Sequence, residues 1–457
     1  MNSKIKFYFA VFIARCAMFA LKLTKRNGTH FPGVLILKFC PDFLSFIAMP
    51  PKCVAITGTN GKTTTTNFVY DMMAQTNIKI AHNTLGSNIQ EGIFVTFLKS
   101  TNFWGTRSKV DLMILEVDER VSPKIYAYLK PNWLIVTNLF RDSYRRNAHV
   151  EFIVDILNQT IPSTTKLIVN TDDVISSYLC PDNDRIGFSV ARLEQEPEVR
   201  DSLIKDIVYC PVCDNKLTFG FNRYHHLGQV YCLNCHFQNL KPQVTVIKVD
   251  TLVHIQVDDM VYLFPKPGNN ITDYYNMVAA LTFMLEYGLD MKQLQTYFAN
   301  LKVVKTRFVE VPHKGKNIIL MMAKDQNPVA VSRVFDYIRR QNTRTCAVIF
   351  INENSEHHTG SENVAYYFDA DFEYLNQAHI IQVIGGGHRI IDLRVRCLMA
   401  GIQDNRFRAS KNELRTAELV DLHEVQDVYV LYGTKTEAEA IAIRARLIQR
   451  IEQEVKA

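Results

Sequence analysis

Short apolar blocks and longer mixed segments alternate along the chain. Residues 53–56, 111–117, 133–138 and 166–170 each hold a near-continuous aliphatic run closed by polar residues, the pattern of strands buried on both faces. Between them, 63–73 and 150–159 carry apolar positions three and four apart and predict helices. This alternation predicts an α/β fold with a doubly wound, mostly parallel sheet. Ligands of such sheets gather at the carboxyl ends of the strands, where Glu116, Asn138 and Asn170 fall.

Further on, strand patterns at 244–249 and 252–257 lead to a strong helix at 276–287. Thr306-Arg307 then opens a second alternating region. It has strands near 318–322, 347–351, 380–383 and 428–431, and a last helix from 437 to about 455. Three segments follow from these shifts: an N-terminal helical segment at 1–45, a central domain at 46–300 with a cysteine-bearing insert at about 205–240, and a smaller C-terminal α/β domain at 303–457. Neither an internal repeat nor a low-complexity tract interrupts them.

Residues 7–21 are apolar apart from Arg15 and are surrounded by Lys4, Lys6, Lys22, Lys25 and Arg26. The uninterrupted apolar run, 7–14, is shorter than the about 20 residues a bilayer requires, and no small-residue cleavage site stands out. The expectation is an amphipathic helix packed on the protein and touching a membrane surface, on a cytoplasmic protein peripheral to the inner face of the membrane.

Composition changes this picture little. At 457 residues the chain exceeds one core, and 47% hydrophobic with 21% charged residues is ordinary for a globular protein. A net charge of +6 spread over this length makes no case for nucleic acid. Of ten cysteines, four form two Cys-x-x-Cys pairs and the rest are scattered, which favours a metal site in a reducing compartment over a disulfide framework.

The strongest chemical signal is Gly58-Thr59-Asn60-Gly61-Lys62-Thr63-Thr64 between the first strand and the helix after it. Gly58 and Gly61 let the backbone approach an anion, and the helix start presents unpaired N–H groups and its positive dipole end. Lys62 can reach terminal phosphates, and the Thr63 hydroxyl can ligate the magnesium that bridges them. The expected ligand is ATP. A plain turn with an exposed lysine is the competing reading.

Cys210-Pro211-Val212-Cys213 and Cys232-Leu233-Asn234-Cys235 have the spacing of a zinc ribbon, two knuckles closing one tetrahedral site. With all four positions supplied by protein, the zinc would be structural. His225, His226 and His236 could substitute as ligands, but the simple reading leaves them on the ribbon surface. No dense basic stripe accompanies the ribbon, so nucleic acid is not expected as a partner.

The stretch 57–64, T-G-T-N-G-K-T-T, departs from the general P-loop spacing, having Ile56 where a glycine would stand. It resembles the nucleotide signature of Mur ligases and folylpolyglutamate synthases, which join a carboxylate to an amine through an acyl phosphate. Together with the four-cysteine insert, L-E-V-D-E at 115–119, T-N-L-F-R-D at 137–142, Tyr275-Asn276 with Ala279-Ala280, and D-A-D-F-E at 369–373, the chain resembles the MurT family. The likeness extends from near the N-terminus to the end.

That resemblance implies ATP-dependent amidation of the D-glutamate α-carboxylate of the lipid II stem peptide, giving D-isoglutamine. It implies ammonia from a separate GatD-type class I glutamine amidotransferase in a heterodimer. No cysteine here sits in a G-x-C-x-G elbow, so glutamine hydrolysis belongs to another chain. The resemblance also implies that Thr59 to Lys62 hold the phosphates, that Thr63 and Glu116 hold Mg2+, that Asn276 contacts the adenine, and that Arg307 and Asp369 reach the nucleotide on domain closure. For Glu116 a solvated strand-end carboxylate, for Asn276 an N-cap, and for Arg307 and Asp369 ordinary surface positions stay open.

One departure falls in the C-terminal domain. The family carries an aspartate, thought to assist amidation, six residues before D-x-D-F-E, and here that position is Asn363. Glu362 is adjacent and is the candidate to take over the acidic role. The aromatic pair of the family is replaced by Ala365-Tyr366-Tyr367-Phe368, and its K-N-P-A-G stretch by Lys324-Asp325-Gln326-Asn327-Pro328-Val329. Two alternatives therefore stand beside the amidating ligase: a Mur-type ligase that adds an amino acid, and a catalytically impaired nucleotide-binding scaffold.

Overall fold

Nine strands form the larger sheet: β1 (Lys52–Thr57), β2 (Ile80–His82), β3 (Leu112–Glu116), β4 (Trp133–Val136), β5 (Lys166–Asn170), β6 (Arg185–Val190), and, after a two-stranded excursion β7 (Thr218–Tyr224) and β8 (Leu227–Tyr231), β9 (Val244–Val249), β10 (Leu252–Val257) and β11 (Met260–Pro265). Their order is β11-β10-β9-β6-β5-β4-β1-β3-β2. The strands from β2 to β9 pair in parallel, and β10 and β11 add an antiparallel edge. The computed structural model of the chain describes residues 3–83, 87–141, 149–194, 196, 202–301, 308–323, 327–351, 364–433 and 435–454.

The central strands are buried on both faces because helices cover both sides, and this is why they read as continuous aliphatic runs. Cys53, Ala55, Met113 and Leu115 pack with Phe94 and Phe97 of the helix Gln90–Ser100 and with Phe7 of the N-terminal helix Ser3–Leu23. Parallel register sets Ile56 of β1 opposite Glu116 of β3 and Thr57 opposite Val136 of β4. The polar residues that close these three strands therefore come out along one edge.

The strong helix of this sheet starts earlier than its apolar pattern suggests. It runs Ile271–Tyr287, with Asp273 Oδ2 accepting the Asn270 N–H at 3.2 Å and Gly288 ending it at φ +108°. The polar first turn hides the start, while the Asn270-x-x-Asp273 spacing of a capping box marks it. Asn276 consequently lies inside the helix and is not its N-cap.

A second sheet has the order β12-β13-β17-β14-β15-β16, formed by β12 (Phe308–His313), β13 (Lys316–Met322), β14 (Cys346–Ile351), β15 (Ile380–Gly386), β16 (Phe407–Ser410) and β17 (Asp427–Tyr432). Val348, Phe350 and Leu431 pack with Phe335 and Phe372 on one face, and Ile349, Val428 and Val430 with Ile443 and Leu447 of the last helix on the other. The described residues fall into two compact units. One is drawn from Met1–Phe140, His149–Arg200 and Ile207–Val304, the other from Arg141–Ala148, Asp201–Asp206 and Lys305–Ala457.

Candidate functional site

β1 ends at Thr57, and the chain turns through Gly58 (φ +127°) and Gly61 (φ +89°) into the helix Lys62–Met73. Both angles favour glycine, and space demands it too. A methyl at Gly58 would lie 2.2 Å from Thr137 Oγ1, and one at Gly61 2.2 Å from Asn276 Oδ1. The loop between them is held by the exit of β4. Asn138 Oδ1 accepts the Asn60 N–H at 3.0 Å while Asn138 Nδ2 donates to Asn60 O at 3.0 Å. Thr137 Oγ1 donates to Asn60 O at 2.7 Å, and the Thr59 N–H to Asn138 O at 2.8 Å. The first bond of the helix runs from the Thr65 N–H to Gly61 O at 2.9 Å. The N–H groups of Lys62, Thr63 and Thr64 thus lie at the open helix end, where an anion binds.

Lys62 carries the positive charge of this loop, and its surroundings keep it charged. Its Nζ donates to Gly58 O and to Glu119 Oε1, the latter at 3.0 Å. The same Glu119 oxygen accepts the Gly58 N–H at 2.7 Å. Burial opposes the charge on Lys62, but the charge and hydrogen bond of Glu119, with Asp118 and Glu116 adding to them, raise its pKa above the ordinary value. Glu116 is buried, its backbone clamped by Asn83 at 2.7 Å on both N–H and C=O, and its Oε1 accepts Asn88 Nδ2 at 2.9 Å. Carboxylate and hydroxyl oxygens at this strand edge are the hard donors that fit Mg2+.

Asn276 supports the loop from below: its Oδ1 accepts Thr65 Oγ1 at 3.3 Å and faces Gly61, and the residue is buried. Arg307, Glu362 and Asn363 lie outside the described residues. Asp369, in the second unit, ends the short helix Tyr366–Asp369 and pairs with Arg141 at 3.4 Å. That helix is fixed by Arg396, which donates to Tyr367 O at 2.8 Å, Ala370 O at 2.9 Å and Glu373 Oε2 at 2.7 Å. Within D-A-D-F-E, Asp371 Oδ1 accepts the Leu203 N–H at 2.7 Å and Phe372 is core.

The four cysteines come together although the chain between them is long. Cys210 and Cys235 Sγ are 3.5 Å apart, as are those of Cys213 and Cys232, and all four lie within 4.8 Å of one another. Four sulfurs around one zinc stand about 3.8 Å apart, so the set fits the metal. The two knuckles have matching backbones: the Asp214 N–H donates to Cys210 O and the His236 N–H to Cys232 O, each at 3.0 Å, with both residues left-handed at φ +56° and +61°.

The ribbon departs from the sequence-based expectation in where it puts its histidines. His236 is exposed, but His225 and His226 are buried, because the β7–β8 turn folds onto the corner after β5. His226 Nε2 lies 3.0 Å from Asp173 Oδ1, and its ring lies 4.8 Å from that of Phe140. Arg223 on β7 is also fully buried, pairing with Glu196 at 2.6 Å and donating to Val190 O at 3.0 Å and Ala191 O at 2.9 Å. It contacts Tyr275, whose hydroxyl donates to Asp172 Oδ2 at 2.6 Å. Burial pushes the Asp172 carboxyl up to about 6 against the pull of Arg223.

Sequence reasoning missed Glu119, Thr137, Arg141 and Asp173, and put His226 on the surface. Glu119, Thr137 and Arg141 stood inside short motifs already singled out; nothing local marked Asp173.

Among known proteins, the Mur ligase middle domain family matches residues 56–222 and the MurT ligase C-terminal family residues 325–435. The MurT subunit of lipid II isoglutaminyl synthase (glutamine-hydrolyzing) from Staphylococcus aureus strain COL is 27% identical over 398 residues, 86% of this chain and 88% of the relative. The corresponding subunit from Streptococcus pneumoniae R6 is 24% identical over 415 residues, 89% and 90% of the two chains. In fold, the chain is similar to a pseudomurein peptide ligase type C from Methanothermus fervidus, with TM-score 0.65 at 18% identity over 90% of this chain and 80% of that one. It is also similar to the MurF ligase of Thermotoga maritima in complex with ADP, with TM-score 0.56 at 14% identity over 93% and 85%. Among the described residues no helix is long and apolar enough to cross a membrane.

Proposed function

We infer that the chain is a divergent member of the MurT family, a ligase that forms a C–N bond as the synthetase subunit of a lipid II isoglutaminyl synthase. The substrate is then the α-carboxylate of the stem-peptide D-glutamate, and the product its amide, D-isoglutamine. Ammonia comes from a GatD-type glutaminase partner, and the reaction takes place on the cytoplasmic side at the membrane surface. Residues 46–300 act as the ATP-binding domain and 303–457 as the C-terminal MurT-type domain.

The observation that carries this reading is the pairing of the phosphate loop with the carboxylates at the end of the neighbouring strand. The N–H groups of Lys62, Thr63 and Thr64 receive the β- and γ-phosphates, those of Thr59 and Asn60 being held by Asn138, and Lys62 turns from Gly58 O and Glu119 to the terminal phosphate. Thr63 and Glu116 hold Mg2+, which when bound neutralises charge on the phosphate oxygens. A carboxylate oxygen of the substrate takes the γ-phosphoryl group, and ADP leaves. The ammonia nitrogen then attacks the acyl carbon and phosphate leaves. Activation is required because a carboxylate is a poor electrophile, and a delivered ammonia stays neutral where free ammonia would be ammonium. Asn276 is assigned to the loop frame as well as to the nucleotide side of the site. Arg307 and Asp369 keep the nucleotide-contact roles implied by the family likeness, and Glu362, beside Asn363, takes the acidic role. Zinc on Cys210, Cys213, Cys232 and Cys235 is structural.

Mass spectrometry of lipid II after incubation with this protein, its glutaminase partner, ATP-magnesium and glutamine tests the reading. The expected product is lighter by the difference between a carboxyl and a carboxamide group and requires ATP. Lipid II unchanged despite ATP binding would overturn the amidating assignment.

A further inference from the structure

The helix Ser3–Leu23 is apolar on two opposite sides. Phe7, Ala10, Val11 and Ala14, spaced three and four apart, are buried, with the Phe7 ring 5.4 Å from that of Phe43 and 5.1 Å from that of Phe46. That face attaches the helix to the protein. At 100° per residue an opposite arc about 100° wide carries Ile5, Phe9, Phe12, Phe19 and Leu23. These five are 42% to 70% exposed, and no charged residue falls in their arc. One apolar stripe suffices for packing; on the second, Phe9 meets Phe39 edge-on at 5.1 Å, while Ile5, Phe12, Phe19 and Leu23 are more than half exposed.

A neighbouring loop extends this face. Arg15 Nη2 donates to Asn102 O at 2.7 Å, and its guanidinium lies 5.9 Å from the Phe103 ring. Trp104, exposed like Phe103, meets Tyr8 edge-on at 6.5 Å. Tyr and Trp rings suit a boundary that is apolar on one side and wet on the other.

Charge follows the same geography. Residues 1–41 hold seven Lys and Arg and no Asp or Glu, while the whole chain has 52 against 46 and a net charge of +6. The net positive charge of the protein thus falls within residues 1–41, with Lys4, Lys6, Arg15 and Lys22 on the helix itself. Lys4 and Lys22 border the apolar arc on one side and Lys6 on the other.

We propose that this face docks on an anionic lipid bilayer, with the helix lying in the interface plane, its aromatic arc among the headgroups and acyl chain ends and its lysines on the lipid phosphates. Lysine is depleted at protein interfaces but favoured beside anionic lipid. A second copy on the same face would set Lys4, Lys6 and Lys22 against the same three lysines. A span is excluded by length and polarity among the described residues. The proposal goes beyond the ligase reading and stands without it, since lipid binding involves neither lipid II nor turnover.

Co-sedimentation of the full-length protein with phosphatidylcholine vesicles, with and without phosphatidylglycerol, tests this. Binding is expected on the anionic vesicles and should weaken as salt rises. Phe12→Ser with Phe19→Ser should lower the bound fraction about tenfold without changing the melting temperature, both sites being exposed. Lys22→Glu with Lys25→Glu should weaken binding to the anionic vesicles selectively. Absence of vesicle binding, or binding indifferent to the phenylalanine pair, would overturn the proposal. So would a dimer in sedimentation velocity that the phenylalanine variant abolishes while vesicles capture nothing, which would assign the face to a second copy.

Discussion

His226 Nε2 lies 3.0 Å from Asp173 Oδ1 in a region where both side chains are fully closed to solvent. The other oxygen of Asp173 accepts the Leu139 N–H at 2.6 Å, and Leu139 follows Asn138, which frames the phosphate loop. The ribbon hairpin is therefore tied to the proposed nucleotide site through one carboxylate. His226→Ala should lower stability by about 1–3 kcal/mol through loss of a buried hydrogen bond to a carboxylate and of the contact with Phe140, Asp173 Oδ1 keeping the N–H groups of Ile175 and Ser176, and weaken ATP binding while zinc content is retained. Calorimetric ATP titration and a thermal melt check this, and unchanged ATP affinity would refute the connection.

Lys62→Ala should reduce ATP turnover by roughly 100-fold or more, since no other cation lies in the loop to meet developing phosphate charge. Glu119→Gln keeps an acceptor for the Gly58 N–H but removes the charge that holds Lys62, and a fall of about tenfold in kcat/KM for ATP is expected. Steady-state ATPase assays measure both, and retained turnover in Lys62→Ala would sink the phosphate-loop assignment.

Cys210→Ser should release zinc and destabilise the insert. Apart from cysteines, the ribbon core rests mainly on Val174, Leu217, Val230 and Phe237, too little apolar surface to order the segment without a metal. Plasma mass spectrometry for zinc, together with a melt before and after chelation, decides the matter. Full zinc occupancy in the variant would count against a four-thiolate site.

Asp172 supplies a pH dependence. Burial raises its carboxyl to about 6 from an unfolded value near 3.9, so the folded state holds the proton more tightly. Between these two values stability should fall as pH rises, by on the order of 1–3 kcal/mol for this group. Asp172→Asn should remove that slope. Melting temperatures of both proteins from pH 4 to 7 measure it, and parallel curves would refute it.

Glu362→Gln should abolish amide formation while ATP binding persists, if this residue carries the acidic role at the position where the family's aspartate is replaced by Asn363. Full product formation in the variant would place that role elsewhere.

The sequence alone determined what depends on neighbours along the chain. Aliphatic blocks marked β1, β3, β4 and β5 because a strand covered on both faces must be apolar throughout. Gly58, Gly61 and Lys62 announced the loop because its backbone angles and its chemistry are local. The paired cysteines announced their cluster because knuckle spacing is local too. Tertiary structure decided everything that depends on which distant segments meet. Parallel register brings the end of β3 beside β1, and Glu119 follows from there to reach Lys62 and Gly58. Burial of the β7–β8 turn converts His226 from a surface residue into a partner of Asp173. Asn276 became a support for Gly61 because its helix begins a turn and a half earlier and presents that position inward. Spacing rules report the period of an element and its ends, whereas a pair such as Lys62 with Glu119, 57 residues apart, exists only once the sheet has chosen its order.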